Sequence, residues 1–131
     1  IVSEFTFYSL DNDSGNLNIK GWGGNQINRY ERARAYRNFV CGMAGTSFVI
    51  GTDWFQWNDE PPAGRSVDGE DMNVGFVTVD DQPYDMMYAA NRAVRDTVNS
   101  IHEKSDDSQQ SNVWAIDPVH YVKKEKSQSP K

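Results

Sequence analysis

A single cysteine, Cys41, excludes an internal disulfide framework and a cysteine-rich zinc site. It lies in a helix-like stretch with no histidine close in sequence, which argues against a nucleophilic thiol. No run in the 131 residues approaches the roughly 18 apolar residues of a membrane-spanning helix. Basic residues are outnumbered, 13 Lys plus Arg against 19 Asp plus Glu, for a net charge of −6. That balance argues against a nucleic-acid partner, which needs a basic face for phosphate. The two histidines, His102 and His120, have no partner at a useful spacing and read as surface residues. An initial methionine and a signal-peptide pattern are also missing. The chain opens inside a strand-like run and is read as the C-terminal part of a longer polypeptide.

What is plentiful is aromatic surface, 12% of residues with 4 Trp and 6 Tyr, in a polar chain that is 37% hydrophobic. Residues 1–8 (IVSEFTFY) are β-branched and aromatic and predict a strand. Residues 9–25 are rich in Asn and Gly and predict a long loop. Ile27, Tyr30, Ala33, Tyr36, Val40 and Met43 recur every three or four residues, predicting a helix over 26–44 that Gly45 ends. Asn28 with Glu31 is a candidate capping pair, with Asn25 as the alternative cap. Residues 47–57 predict a second strand, its Phe48-Val49-Ile50 run suited to a parallel strand buried on both faces. A second long loop, 58–82, contains the strand-like stretch 75–79. Pro83 is placed for the first turn of a helix whose stripe is Tyr84, Met87, Asn91, Val94, Val98 and Ile101. From 105 to 131 the chain is a polar tail with one apolar island, Val113-Trp114-Ala115-Ile116. Strand, helix, strand, helix, with long loops after the strands, is a βα-repeat pattern in which function collects at the strands' C-terminal ends.

Charge is segregated along the chain. Residues 53–85 carry nine acids against one base, Arg65, whereas the preceding helix carries Arg29, Arg32, Arg34 and Arg37. Those arginines read as a solvated face paired with neighbouring acids. Glu4 stands out, because a carboxylate among Val2, Phe5 and Phe7 is costly unless it lies at the mouth of the strand or pairs with an arginine. In Asp53-Trp54-Phe55-Gln56-Trp57 the period of two puts Trp54 and Gln56 on one face, Phe55 and Trp57 on the other. An indole beside an amide suits a sugar ring, and core packing suits Phe55 better than Trp54. Calcium-loop spacing fails at both candidates: counted from Asp68 the sixth and twelfth positions are Asn73 and Val79, and the loop from Asp11 has its glycine, Gly15, at the fifth.

The string Gly51-Thr52-Asp53-Trp54-Phe55-Gln56-Trp57-Asn58-Asp59-Glu60-Pro61 carries a resemblance, together with Gly64-Arg65, the stretch from Asp68 to Gly75, and Asp81-Gln82-Pro83-Tyr84. It resembles the last strand and loop of family 50 β-agarases and of the related agarase-like and family 42 β-galactosidase-like enzymes. Ser3-Glu4-Phe5 resembles the strand-seven segment bearing their nucleophile, and the likeness covers about residues 1–100. It implies an α/β fold, with residues 1–104 forming the last two βα units of a (β/α)8 TIM barrel. It further implies retaining hydrolysis of β-linked galactan without a cofactor, a polysaccharide substrate, and a bacterial exported enzyme. Under the resemblance Glu4 is the nucleophile and Trp54 the sugar platform with Gln56 beside it. Asp59, Glu60, Arg65, Asp68, Glu70 and Asn73 shape the cleft or brace its loop. Loop 9–25 departs from the family's pattern: Ser14-Gly15-Asn16-Leu17-Asn18 lacks a proline, and Trp22 nearby becomes a candidate substrate contact.

Retaining glycosidases need two carboxyl groups roughly 5–5.5 Å apart. The second is expected from an earlier strand upstream of this chain, since Glu60 and Glu70 lie in a loop, a poor support for a catalytic carboxylate. The remainder of the barrel is therefore expected to be required, and Ile1, Val2, Phe48 and Val49 are expected to be unusually exposed without it. The alternatives are a non-catalytic carbohydrate-binding protein on a barrel scaffold and a small self-contained interaction module.

Overall fold

The computed structural model describes residues 1–105; the apolar island at 113–116 and His120 lie outside them. Four short strands and three helices follow in the order β1 (Val2–Phe5), β2 (Phe7–Ser9), β3 (Gly24–Gln26), α1 (Arg29–Ala44), β4 (Thr52–Trp54), α2 (Asp85–Arg95) and α3 (Val98–Glu103). β1 pairs with β4 in parallel, with α1 as the crossover between them, which is the expected βαβ arrangement.

The strand expected over residues 1–8 is broken in two. Between the pairs Val2↔Thr52 and Phe5↔Trp54 the register slips, three steps on β1 matching two on β4, so β1 carries a bulge. Glu4 sits in it with φ 57°, the left-handed region. Beyond Thr6 the chain leaves β4, and β2 pairs in parallel with β3, the end of what the sequence presents as pure loop. Gly24 is needed there: a Cβ would stand 2.3 Å from the Phe7 ring.

Helix α1 starts three residues later than the apolar spacing indicates, because Asn28 caps it, its Oδ1 accepting from the Glu31 amide at 2.9 Å. The expected stripe is shifted. Ile27 and Tyr30 are exposed, while Arg32, Ala33, Tyr36, Met43 and Ala44 are buried. The arginines are not uniformly a solvated face, since Arg32 has no accessible surface at all. Arg29 and Arg34 do pair with acids, at Asp11 and Asp13 and at Glu31.

The second strand is only Thr52–Trp54, not 47–57; residues 47 and 48 form a turn, and Phe48 and Ile50 face solvent. No strand flanks β4 on its other side among the described residues, so nothing extends it. Ile1 and Phe48 are exposed as expected, at 75% and 67%, whereas Val2 and Val49 are half-buried. The last helix is also interrupted. The Thr97 hydroxyl donates to the Ala93 carbonyl at 2.8 Å, competing with the backbone, and α2 gives way to α3. Pro83 lies before α2 rather than in its first turn, and Tyr84 is the cap residue.

The core gathers Phe5, Ala33, Tyr36, Phe76, Tyr84, Met87 and Val94, so it lies between the β1–β4 pair and helices α1 and α2. Tyr36 donates from its hydroxyl to Asn91 Oδ1 at 2.8 Å, which explains a polar residue in the α2 stripe. None of the described helices is long and apolar enough to cross a membrane. Replacing the α1 cap by Asn28→Ala removes the Glu31 amide's acceptor; it is expected to lower stability by about 1 kcal/mol in urea unfolding, with an unchanged m-value.

Candidate active-site face

Loop 58–75 is held from beneath by carboxylates. Asp59, 3% exposed, accepts from three donors: Tyr84 Oη at 2.5 Å and Ser14 Oγ at 2.7 Å on Oδ2, and the Gly75 amide at 2.7 Å on Oδ1. Gly75 admits this approach because a Cβ would lie 2.3 Å from the Asp59 nitrogen. Burial raises the Asp59 pKa, opposed by those hydrogen bonds and by the Arg32 charge. Tyr84 is pushed up to about 12 by burial and by its bond to Asp59. Arg32 is lowered to about 10 by burial, so it remains a cation at neutral pH. Its Nε donates to the Phe7 carbonyl at 2.9 Å, Nη2 donates to the Gly75 carbonyl, and its guanidinium lies over the rings of Trp54 and Tyr84.

Glu60 and Asn73 are equally inaccessible. Glu60 Oε2 accepts from the Met72 amide at 2.6 Å, and Arg65 Nε stands 3.5 Å from Oε1; burial raises the Glu60 pKa. Asn73 exchanges hydrogen bonds with Ser9, accepting from its amide and donating to its hydroxyl, both at 3.2 Å. Asn16, which the sequence does not single out, donates from Nδ2 to the carbonyls of Glu60 and Asp71 and so ties loop 9–25 to this loop. Of the residues expected to shape the cleft or brace its loop, Asp59, Glu60 and Asn73 are braces.

Nearer the surface, Arg65 is fastened by Asp68, at 3.1 and 2.6 Å, and by Glu70 at 2.5 Å. The bond to Arg65 lowers the Asp68 pKa. Thus fixed, the guanidinium sits 5.7 Å from the centre of the Phe55 ring, and Trp22, 44% exposed, lies 6.0 Å from the same ring. Phe55 thus groups with Trp22 and Arg65, although it is half-buried as Trp54 is. Trp54 is packed by Phe5, Tyr36 and Phe76 at 5.2–5.6 Å, and its Nε1 donates to the Val74 carbonyl at 2.9 Å. Trp54 and Gln56 do share a hollow, of about 260 Å³, but Tyr36 and Asn91 of the helices line it too. Within this segment Trp54 packs against core rings, while Phe55 lies beside Trp22 and Arg65. Phe5 and Trp54 are register partners turned toward the helices, and alternation in β4 then sends Asp53 to the opposite face, where it is exposed.

Glu4 is exposed and forms no hydrogen bond or ion pair with any described residue. The Phe55 amide donates to the Phe5 carbonyl at 3.0 Å, which fixes the strand pair directly after Glu4. A bulge at such a place re-aims a side chain, and a left-handed non-glycine residue costs roughly 1–3 kcal/mol, strain that clusters at functional sites. No group of three or more His, Cys, Asp or Glu suited to a metal gathers among the described residues.

No family model matches the chain. Two curated proteins of Vibrio sp. (strain JT0107) do: β-agarase B, 38% identical over 84 residues, and β-agarase A, 38% identical over 98. These alignments cover 64% and 70% of the chain but only 8% and 9% of the two relatives. Among solved structures, PfGH50B superposes with a TM-score of 0.70 at 34% identity over 77% of the chain and 14% of its own. An agarase superposes with a TM-score of 0.69 at 31% identity, over 76% of the chain and 15% of its own. In sequence and in mixed α/β fold, this chain is a family 50 agarase-like segment.

The raised Asp59 pKa sets a sign for pH dependence. The folded form takes up this proton at higher pH than the unfolded chain, so its stabilising contribution is full below the ordinary value near 3.8 and is lost as pH rises through the raised value. Between pH 4 and 7, urea unfolding of Asp59→Asn is expected to lack that contribution, leaving a stability profile that rises more steeply with pH than in the parent. A parallel profile is the contrary result.

Proposed function

We propose that this chain is the nucleophile-bearing part of a retaining glycoside hydrolase that cleaves β-galactosidic bonds in an agarose-like galactan. In this reading β1 and β4 are the last two strands of a (β/α)8 barrel whose earlier strands belong to chain upstream. The observation that carries it is Glu4: a solvent-facing, unpaired carboxylate in a left-handed bulge of the strand that pairs with β4. The agarase relatives supply the substrate class.

In the retaining reaction the Glu4 carboxylate attacks the anomeric carbon as the glycosidic C–O bond breaks. A second carboxyl group, roughly 5–5.5 Å away, protonates the departing oxygen and then deprotonates the water that frees the sugar. Glu60 and Glu70 are poor choices for that second group, the one buried against Met72 and Arg65, the other fastened to Arg65. It is assigned to an earlier strand. Phe55 and Trp22, stiffened by Arg65, offer apolar ring faces for the C–H face of a galactose unit, with Asp68 and Glu70 fixing Arg65 in place. Trp54 is assigned to support of Phe55 and the strand pair, and Gln56 remains a candidate hydroxyl partner.

In the full-length protein, Glu4→Gln is expected to reduce agarose hydrolysis by roughly 10³-fold or more while oligosaccharide binding persists. Hydrolysis at the parent rate would overturn the assignment. Phe55→Ala and Trp54→Ala separate the two aromatic roles. The first is expected to raise KM for a soluble agaro-oligosaccharide with little change in melting temperature. The second is expected to cost about 3–5 kcal/mol of stability, as loss of a packed aromatic does.

A further inference from the structure

A hollow of about 430 Å³ shares no lining residue with the Glu4, Trp22, Phe55 and Arg65 group. It is enclosed by residues 11–13 of the first loop, the first turn of α1 and the residues leading into α2. Its size falls within the range of small-molecule sites. We propose that it is a second carbohydrate site, which holds a neutral stretch of the same galactan away from the point of cleavage. The proposal rests on the reading of the chain as part of a galactan hydrolase.

The lining chemistry selects the ligand. Arg29 is shared between Asp11 and Asp13, at 3.5 and 2.5 Å, and Asp85 adds a third carboxylate. Two arginines against three acids leave no surplus of positive charge for a sulfate or phosphate. The arginines in turn disfavour a bare cation. Donors and acceptors set side by side suit vicinal hydroxyl groups, which give and accept hydrogen bonds together. Tyr30, 61% exposed, and Met86, 49% exposed, add the apolar surface that a sugar's C–H face needs. Arg32 also lines the hollow; it is wholly buried, and its Nη1 has no hydrogen-bond partner among the described residues. A buried donor left unpaired is costly, so an acceptor entering from the hollow would be stabilised there.

The test uses the full-length protein with an insoluble agarose column and soluble agarotetraose as probes. Tyr30→Ala and Arg29→Ala alter exposed side chains, and their melting temperatures verify folding. Each is expected to weaken retention on the column by roughly tenfold, as truncating an anchor does, with kcat/KM on agarotetraose unchanged. Undiminished retention in both variants overturns the site. Equal losses of retention and of agarotetraose turnover place these residues in the reaction's own cleft and overturn a separate site. A parent protein that hydrolyses agarotetraose without being retained overturns this inference alone; one that neither hydrolyses nor binds overturns the proposed function beneath it.

Discussion

One buried guanidinium joins every part of this structure that bears on the site. Arg32 leaves the first turn of α1, lies over the rings of Trp54 and Tyr84, and donates to carbonyls at the end of the first strand run and at the end of loop 58–75. Burying a charge in so small a body is expensive, and such a charge persists only with partners. The nearby Asp59 carboxylate supplies the opposing charge, and it also gathers Ser14, Tyr84 and the Gly75 amide. Both long loops, the α2 cap residue and both strands that bear candidate residues are thus referred to these two side chains and their hydrogen bonds. Loops without regular structure hold their shape here because their polar groups end on these two side chains and on Glu60, Asn16 and Asn73.

The site side is built by contrast. Below, the Asp59 and Glu60 carboxylates are inaccessible and accept hydrogen bonds, only Glu60 Oε1 lacking one; above, Glu4 is exposed and unpaired. The bulge separates these two fates within a single strand. Phe5 is drawn into the core against Phe39, 4.2 Å away, and against Trp54, while its neighbour Glu4 adopts a left-handed conformation. A regular strand would keep Glu4 in simple alternation with Phe5; the extra residue frees its direction from that constraint. The strain is tolerated because Phe5 anchors the strand immediately afterwards and Phe55 is hydrogen-bonded to the Phe5 carbonyl.

Much of this was legible from residues alone where the local chemistry is strong. Asn28 with Glu31 is a helix start by hydrogen bonding, and the structure caps the helix there, after the apolar periodicity has begun at Ile27. Parallel pairing across α1 follows from two strand-like runs separated by a helix. What stayed hidden depends on partners remote in sequence. Arg32 looks like its three neighbours, and only carbonyls 25 and 43 residues away distinguish it. The surroundings of Trp54 and Phe55 were hidden for a similar reason. Period two separates their faces but does not say which face meets the helices; Phe5, the register partner of Trp54, decides that. Asp59, Glu60 and Asn73 sit in a loop that invites a surface reading, yet its backbone amides need acceptors, and these side chains turn inward to supply them.

The exposed apolar residues carry the same logic outward. Ile1 and Ile50 are 75% and 77% exposed at the start of the paired strands, and the sheet they belong to has only two members among the described residues. Parallel strands are stable when both faces are covered and their edges are paired. Here helices cover one face, the one bearing Phe5 and Trp54, and the face bearing Asp53 stays open. Within the proposed barrel, further strands would complete the edges and turn that open face into an interior. Glu4 already stands on β1, one of the two strands that the barrel would extend. The strands that cure the exposed edges would also bring the second carboxyl group within reach of the first. Stability and catalysis would thus be completed by the same contacts, and the 131-residue chain would be expected to lack both together rather than one without the other.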